Sequence, residues 1–258
     1  MRWGIVLACI VGLLGCEKPP EDALVIGTIA GPETVLAEVA KTEAFKQHGL
    51  RVKIVEFSDY NLPNEALDDR SLDANIYQHR PYLEQSMRVK GYPFEVIGKS
   101  FIYPVGLYSS KYHSLKALPV GALIAIPNDP SNEERALRLL ADHHLIKLKA
   151  GEPASIEQIE ENPKQFVFKA LDAAQLPRIL PDVGAAVINT TFAIPAGLKP
   201  SKDALILEDK NSPYVNVIVI RKDSSKKEQL KLFVAAFQSP VVKDKAKALF
   251  GDAAIAAW

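Results

Sequence analysis

The sequence predicts an α/β fold of two lobes, and three observations carry that expectation. The chain opens strand–helix–strand: an apolar run from Leu24 to Ile29, a helical pattern from Pro32 to Gly49, then Arg51 to Phe57. Such alternation builds an α/β sheet. The extended segment from Phe101 to Tyr108 is interrupted by Pro104. Proline within extended chain is confined to edges and bends, so this segment reads as a crossing between lobes. A second set of strands follows, and Ala185 to Ile188 delivers Asn189-Thr190-Thr191 at its carboxyl end, where open α/β sheets bind ligands.

Composition fits that class. Of 258 residues, 48% are hydrophobic and 24% charged, which is ordinary for a globular chain. Lysine plus arginine equals aspartate plus glutamate, for a net charge of zero. A nucleic-acid binder needs an excess of positive charge, so no nucleic-acid partner is expected.

The first residues stand apart from the fold. Arg2 gives a short positive region, and Ile5 to Leu14 form an apolar run too short for a permanent span. The run closes on Leu13-Leu14-Gly15-Cys16, followed by the polar stretch Glu17-Lys18-Pro19-Pro20-Glu21-Asp22. This resembles a bacterial lipoprotein signal (1–15), with Cys16 as the lipidated residue and 16–23 as a tether. Leu14 is bulkier than the small residue usual there. The alternative is an ordinary secretory signal with a chance cysteine. Cys9 would be removed with the signal, leaving Cys16 as the mature chain's cysteine, so no internal disulfide is expected. A core of this size folds without one.

The elements follow in order. Leu24 to Ile29 is a buried strand. Pro32 opens a helix with Glu33 in its first turn, Val35, Leu36, Val39 and Ala40 on one face, and Gly49 as its stop. Asp59-Tyr60-Asn61-Leu62-Pro63-Asn64 is a turn before a short helix from Glu65. Phe94 to Lys99 is a strand. Ala122 to Pro127 is a strand of the second lobe, running into Asn128-Asp129-Pro130-Ser131-Asn132-Glu133-Glu134-Arg135. Ser131 and Glu134 have capping-box spacing, and Ala136, Leu137, Leu139 and Leu140 supply the apolar face of the helix they open. Ile156 to Asn162 reads as a polar helix, Phe166 to Lys169 as a strand, and Gln175-Leu176-Pro177 as the start of a short helical segment. Ala204 to Glu208 and Val215 to Arg221 are extended. Glu228 to Gln238 and Val242 to Phe250 are closing helices.

Three features draw attention as candidate chemistry. The stretch Asp73-Ala74-Asn75-Ile76-Tyr77-Gln78-His79-Arg80-Pro81-Tyr82-Leu83 concentrates rings and amides in a pattern foreign to core strands and to solvated loops. Such amphipathic rings suit a ligand that is part apolar and part polar; a half-buried strand end with aromatic edges is the other reading. Arg135 near a helix N-terminus opposes the macrodipole. A bound anion would relieve the conflict, as would solvation or an exposed pair with a carboxylate. Asn216, flanked by Val215, Val217, Ile218 and Val219, must hydrogen-bond to backbone, partner or ligand if buried.

Other chemistry is not indicated. There is no dinucleotide fingerprint, P-loop, nucleophile elbow or H-E-x-x-H motif. His48 closes a helix, His113 sits in a turn, and the adjacent His143 and His144 point apart and cannot form a metal pair. No enzyme activity, metal or cofactor is expected.

Several motifs, in order, carry one resemblance. They are Asp59-Tyr60-x-x-Pro63-Asn64, Asp73-Ala74-Asn75-x-Tyr77-Gln78-His79-x-Pro81-Tyr82-Leu83, Ala125-Ile126-Pro127-Asn128-Asp129-Pro130 and Arg135-Ala136-Leu137. Leu145-Ile146-Lys147-Leu148, Ala174-Gln175-Leu176-Pro177-Arg178, Ala186-Val187-Ile188-Asn189 and Ser212-Pro213-Tyr214-x-Asn216 complete the set. From about Ile26 to Trp258 the chain resembles the NlpA-type lipoproteins, methionine-binding subunits of bacterial ABC importers. The resemblance implies a type II periplasmic binding fold, with a first lobe over 24–103 and 211–258 and a second over 104–210. It implies that Arg135 grips an amino acid's α-carboxylate. Asn189 and Asn216 would bind its α-amino and carboxylate groups, and Tyr60, Tyr77, His79 and Tyr82 would wall its thioether. The implied partners are methionine, separate permease and ATPase chains, and a membrane holding the lipid on its periplasmic face. Glu134, where the family usually has glycine, would set a carboxylate near the ligand's own. Asn61-Leu62 and Thr191-Phe192 also depart from the commonest pattern. These departures leave open another hydrophobic amino acid or small peptide as ligand, and a surface lipoprotein acting through protein contacts is the reading from a different class.

Overall fold

The computed structural model describes residues 23–151 and 153–258. The expected signal, Cys16 and nearly all of the tether lie outside the described residues. In chain order the strands and helices begin with β1 (Leu24–Ile29), α1 (Pro32–His48), β2 (Val52–Phe57), α2 (Leu62–Asp68), β3 (Ala74–His79) and α3 (Arg80–Lys90). There follow β4 (Phe94–Ile102), β5 (Gly106–Tyr108), β6 (Leu123–Pro127), α4 (Pro130–Asp142), β7 (Lys147–Leu148), β8 (Ile159–Glu161), β9 (Val167–Leu171) and α5 (Leu176–Ile179). Then come β10 (Ala185–Ile188), α6 (Thr190–Ala193), α7 (Pro200–Asp203), β11 (Ala204–Leu207), β12 (Val215–Arg221), α8 (Lys227–Phe237), α9 (Pro240–Phe250) and β13 (Ile255–Ala256).

Two sheets organise the chain. A 6-stranded sheet has the order β13-β4-β12-β3-β1-β2, and a 5-stranded sheet has the order β11-β5-β10-β6-β9. Each has a parallel centre: β1 with β2 and β3 in the first, β6 with β9 and β10 in the second. Antiparallel strands flank these centres. The chain passes between sheets twice. β4 lies in the first and β5 in the second, so Tyr103-Pro104-Val105 makes the expected crossing at the proline. The return runs between β11 and β12. Glu208 ties the two connectors together, its N–H donating to the Val105 carbonyl at 2.9 Å and its Oε2 accepting from the Val105 N–H at 3.3 Å.

Each sheet buries its own core. Leu36, Ala37, Ala40 and Ala44 of α1 pack with Phe233 and Phe237 of α8 against Ile26, Ile76 and Ile218. In the second lobe Leu137 and Leu140 of α4 meet Ile124, Ile126 and Val187. A third cluster spans the lobes and joins Ile29 and Tyr77 to Ala125, Ile188 and Phe192.

Several local expectations change. Val35 is exposed, and α1 buries Ala37 and Ala44 instead. The helix after Tyr60 begins at Leu62, ahead of Glu65. Ser131 is not a cap. Asp129 caps α4, its side chain accepting from the Asn132 N–H at 3.0 Å, and Pro130 takes the first turn. The polar helix expected over Ile156 to Asn162 is a 3₁₀ turn followed by β8, which pairs antiparallel with β7. The aromatic stretch is a core strand after all. All six residues of β3 are buried, and α3, a helix not expected from the sequence, follows at once.

β3 also carries an irregularity. Between the pairs Asn216↔His79 and Ile218↔Ile76, β12 advances two residues while β3 advances three. The extra residue is a bulge, which bends the strand and re-aims side chains. Strict alternation would send Gln78 to the opposite face from Tyr77 and His79. The bulge brings all three to one cavity.

Candidate functional site

The carboxyl ends of the parallel strands in the two sheets face a shared narrow cavity. Tyr60, Tyr77, His79, Tyr82, Arg135, Asn189 and Asn216 all line it, together with Gln78, Tyr103, Asn132, Thr190 and Thr191. The candidate residues, scattered over 157 positions of sequence from Tyr60 to Asn216, thus meet at one place.

His79 is fixed by local structure. It caps α3, and its Nδ1 accepts from the Tyr82 N–H at 3.2 Å. An amide can only donate, so Nδ1 carries no proton and Nε2 donates to Asn132 Oδ1 at 3.2 Å. Burial, reinforced by the nearby Arg135 charge, pushes the imidazole down to about 3. The ring is neutral at neutral pH and bridges the first lobe to α4.

Asn132 is the residue that sequence reasoning missed at the centre of the site. Its Nδ2 donates to both carboxylate oxygens of Asp129 at 3.0 and 2.9 Å. Its Oδ1 accepts from His79 and, at 2.8 Å, from Asn189 Nδ2. The chain Asp129–Asn132–Asn189 holds Asn189 with its Oδ1 buried and without a donor among the described residues. An Asn three residues after a capping Asp was the available signal.

Arg135 is 4% exposed. Its Nε donates to Glu208 Oε1 at 2.9 Å, and its Nη2 donates to Glu208 Oε2 and, at 2.9 Å, to the Tyr103 carbonyl. The Tyr214 ring covers the guanidinium, with Cζ 4.5 Å from its centroid. The charge conflict read from sequence is therefore resolved first by the chain itself, through a buried pair and not an exposed one. Among the described residues Nη1 has no acceptor, so one corner of the fork stays available. Among the described residues Glu134 does not pair with this group. It pairs with Arg138 one turn along α4, at 2.9 Å from Oε1 to Nε, on the solvent side. The carboxylate beside Arg135 is Glu208, which the sequence reading treated only as a strand end.

The aromatic wall is a triangle. Tyr60, Tyr77 and Tyr82 have ring centroids 5.8, 6.0 and 5.9 Å apart, spacings typical of favourable tilted pairs. Phe192 of the second lobe closes on Tyr60 at 4.9 Å. Burial drives the Tyr60, Tyr77 and Tyr103 phenols well above their usual range, so they stay protonated donors.

Asn216 Nδ2 donates to the Tyr77 carbonyl at 3.2 Å and to Glu33 Oε1 at 3.3 Å. Glu33 Oε1 also accepts from Thr191 Oγ1 of the second lobe at 2.8 Å. Just before Glu33, Gly31 faces the Thr191 carbonyl so closely that a Cβ would lie 2.8 Å from that oxygen. The absence of a side chain there is what lets the lobes touch.

Among the described residues no group of His, Cys, Asp and Glu is arranged to hold a metal ion, and no helix is long and apolar enough to cross a membrane. Comparison with known proteins places this geometry. The D-methionine-binding lipoprotein MetQ of Salmonella typhi is 46% identical over 255 residues, covering 96% of this chain and 94% of the relative. A solved ABC-transporter periplasmic substrate-binding protein from Coxiella burnetii is 54% identical, with a TM-score of 0.88 over 91% of this chain and 100% of the other. A nutrient-binding protein from Burkholderia cenocepacia, solved bound to methionine, is 48% identical, with a TM-score of 0.88 over 92% and 100%. The expected two-lobed type II binding fold is borne out by these neighbours. The family model for NlpA lipoproteins matches residues 24–258, and the chain belongs to that family.

Proposed function

We propose that this chain captures methionine between its lobes and delivers it to an ABC importer, acting as a binding protein and not as an enzyme. The observation that carries this reading is the convergence of an aromatic triangle, a fork with one unengaged corner and orphaned buried acceptors on one cavity. Arg135 Nη1 offers a directional donor to the α-carboxylate. Asn189 Oδ1 offers an acceptor to the α-ammonium, while Asn216 shapes the wall beside it. The rings of Tyr60, Tyr77, His79 and Tyr82 surround the thioether. Burying that side chain contributes roughly 1.5–3 kcal/mol, and sulfur against rings adds on the order of 0.3–1.5 kcal/mol.

The two lobes, 24–103 with 211–258 and 104–210, are the bodies that close on the ligand about the connectors that Glu208 ties. Cys16, lipidated after removal of 1–15, holds the chain at the periplasmic face of the inner membrane beside separate permease and ATPase chains. The relatives named as lipoproteins and as ABC-transporter binding proteins support this setting.

Calorimetric titration of the soluble form starting at Glu17, after unfolding and refolding to strip retained ligand, tests the reading. One-to-one saturable binding of L- or D-methionine is expected, with Kd at or below about micromolar. Binding of a different amino acid in the same panel would keep the fold and move the substrate. Silence across the panel would end the reading in favour of a lipoprotein acting through protein contacts.

A further inference from the structure

We infer that Glu33 is the anionic counter-group for the ammonium of the cavity's ligand, and the residue that makes the site select a free amino group. The inference rests on the amino-acid-binding reading above and assigns a role that reading leaves to amides.

The geometry carries the argument. Glu33 lies in the first turn of α1, just past the carboxyl end of β1, with no exposed surface. Its Oε1 is held by Thr191 and Asn216, both of which line the cavity. Its Oε2 is buried and has no donor among the described residues. Tyr60 and Tyr103, two more lining residues, both feel its charge, which helps to push their phenols up. Two lining side chains thus hold this carboxylate and two more feel its charge, which sets it behind the cavity wall. A buried carboxylate oxygen without a donor is expensive, and an alkylammonium is the donor that offsets it best.

The local charge balance points the same way. Arg135 is the cation of the site, and Glu208 already neutralises it. Asp129 is half-buried and committed to Asn132 and Ser131. An added monoanion would leave the cavity's surroundings short of positive charge. A zwitterion leaves the balance unchanged, because its ammonium meets Glu33 while its carboxylate takes the free corner of Arg135. The Thr191 contact adds a conformational element. Glu33 belongs to the first lobe and Thr191 to the second, so the carboxylate is fully enclosed only when the lobes meet.

Desolvation raises the Glu33 carboxyl to about 7. The titratable groups that feel its charge are Tyr60 and Tyr103, neutral at that pH, and its hydrogen-bond partners are the Thr191 hydroxyl and the Asn216 amide; among the described residues no cation pairs with it. Enclosing Glu33 around a ligand without an ammonium therefore favours a proton on the carboxyl, whereas an ammonium favours the ionised form.

The test compares L-methionine with its des-amino analogue, 4-(methylthio)butanoate, on the refolded soluble chain. Affinity and proton uptake are measured by calorimetry at pH 7 in two buffers of different ionisation heat. For the parent, the analogue is expected to bind at least about tenfold more weakly and to take up about half a proton or more beyond methionine. In Glu33→Gln, methionine should weaken at least about tenfold while the analogue holds or gains, and the proton difference should vanish. A variant that weakens both ligands alike, or neither, overturns the inference. Should Glu33→Gln fail to fold, the parent alone decides, because equal proton counts for the two ligands also overturn it. A parent that binds neither methionine nor any other amino acid instead removes the reading on which the inference stands.

Discussion

Two buried polar clusters meet β3, and they behave in opposite ways. Behind the cavity wall, Asn64 and Asn75 and the lining residue Gln78 satisfy one another. Asn64 Nδ2 donates to Gln78 Oε1 at 2.9 Å while Gln78 Nε2 returns a bond to Asn64 Oδ1 at 2.7 Å. Asn75 adds bonds to Asn64 at 3.0 Å and to the Pro63 carbonyl at 3.2 Å, and accepts from Gln78 at 2.9 Å. Around the cavity, Asn189 Oδ1, Tyr103 Oη and Glu33 Oε2 are equally buried but have no partner among the described residues. A closed network fixes how α2 docks on the sheet. Orphaned groups are costly in the folded chain and are expected where a ligand, not the protein, completes them. At β3 the two clusters thus differ in whether their bonds close within the protein.

The largest predicted effect breaks the recognition side. Arg135→Ala removes the cation and strands Glu208, which is 12% exposed in its side chain. Methionine binding should fall by more than 100-fold, and stability by about 3–5 kcal/mol. Arg135→Met combined with Glu208→Met should recover most of the stability and none of the binding, as read by thermal melts beside calorimetry.

The next effect is on pH. The Glu33 carboxyl is raised from 4.5 to about 7 in the folded chain. Its contribution is fully present below about 4.5 and is lost as pH rises through 7. Glu33→Gln should therefore melt higher than the parent above pH 7, by about 3 kcal/mol of stability, with the gain disappearing towards pH 4.5. His79, lowered from 6.5 to about 3, acts with the opposite sign. Its contribution is present above 6.5 and declines as pH falls towards 3, so the two groups oppose each other between about 4.5 and 6.5. A stabilising Glu33→Gln that binds methionine poorly is the signature of a residue kept for recognition at the expense of stability.

Breaking the architectural side should look different. Asn64→Ala leaves Gln78 and Asn75 each missing a partner, and should cost about 1–3 kcal/mol in chemical denaturation. Methionine affinity should stay within a few-fold, since Asn64 does not line the cavity. The smallest effect sharpens the contact between lobes. Gly31→Ala places a methyl against the Thr191 carbonyl, where no side chain can yield. Affinity should fall about tenfold, or 1.4 kcal/mol, through impaired closure, with the thermal midpoint of the ligand-free chain little changed.

Much of this was legible in the linear chain. Apolar runs bounded by Gly and Pro located β1, β6, β10 and β12, and the proline at 104 marked the crossing. Tyr77, Gln78, His79 and Tyr82 of the 73–83 stretch, with Arg135, Asn189 and Asn216, reached one cavity. The failures share a cause. Strict period-two reasoning could not accommodate the bulge that brings Gln78 beside Tyr77, because a bulge is defined by its partner strand. Ser131 and Glu134 matched a capping pattern, but Asp129 lay two residues earlier with a proline after it and took the cap. The 156–162 segment had helical composition, yet pairing with β7 overrode that preference.

The sequence by itself determined the alternation of elements, the two-lobed plan and many of the side chains that line the shared cavity. These follow from short-range sterics and from burial periods that each segment carries alone. Only the tertiary structure decided the electrostatics of the site. Glu208 looks like the end of a strand until the two connectors set it on Arg135, and Glu33 looks like an ordinary first-turn carboxylate until the second lobe seals it. A charge owes its state to the water taken from it and the partners brought to it, and both come from residues far away in the chain.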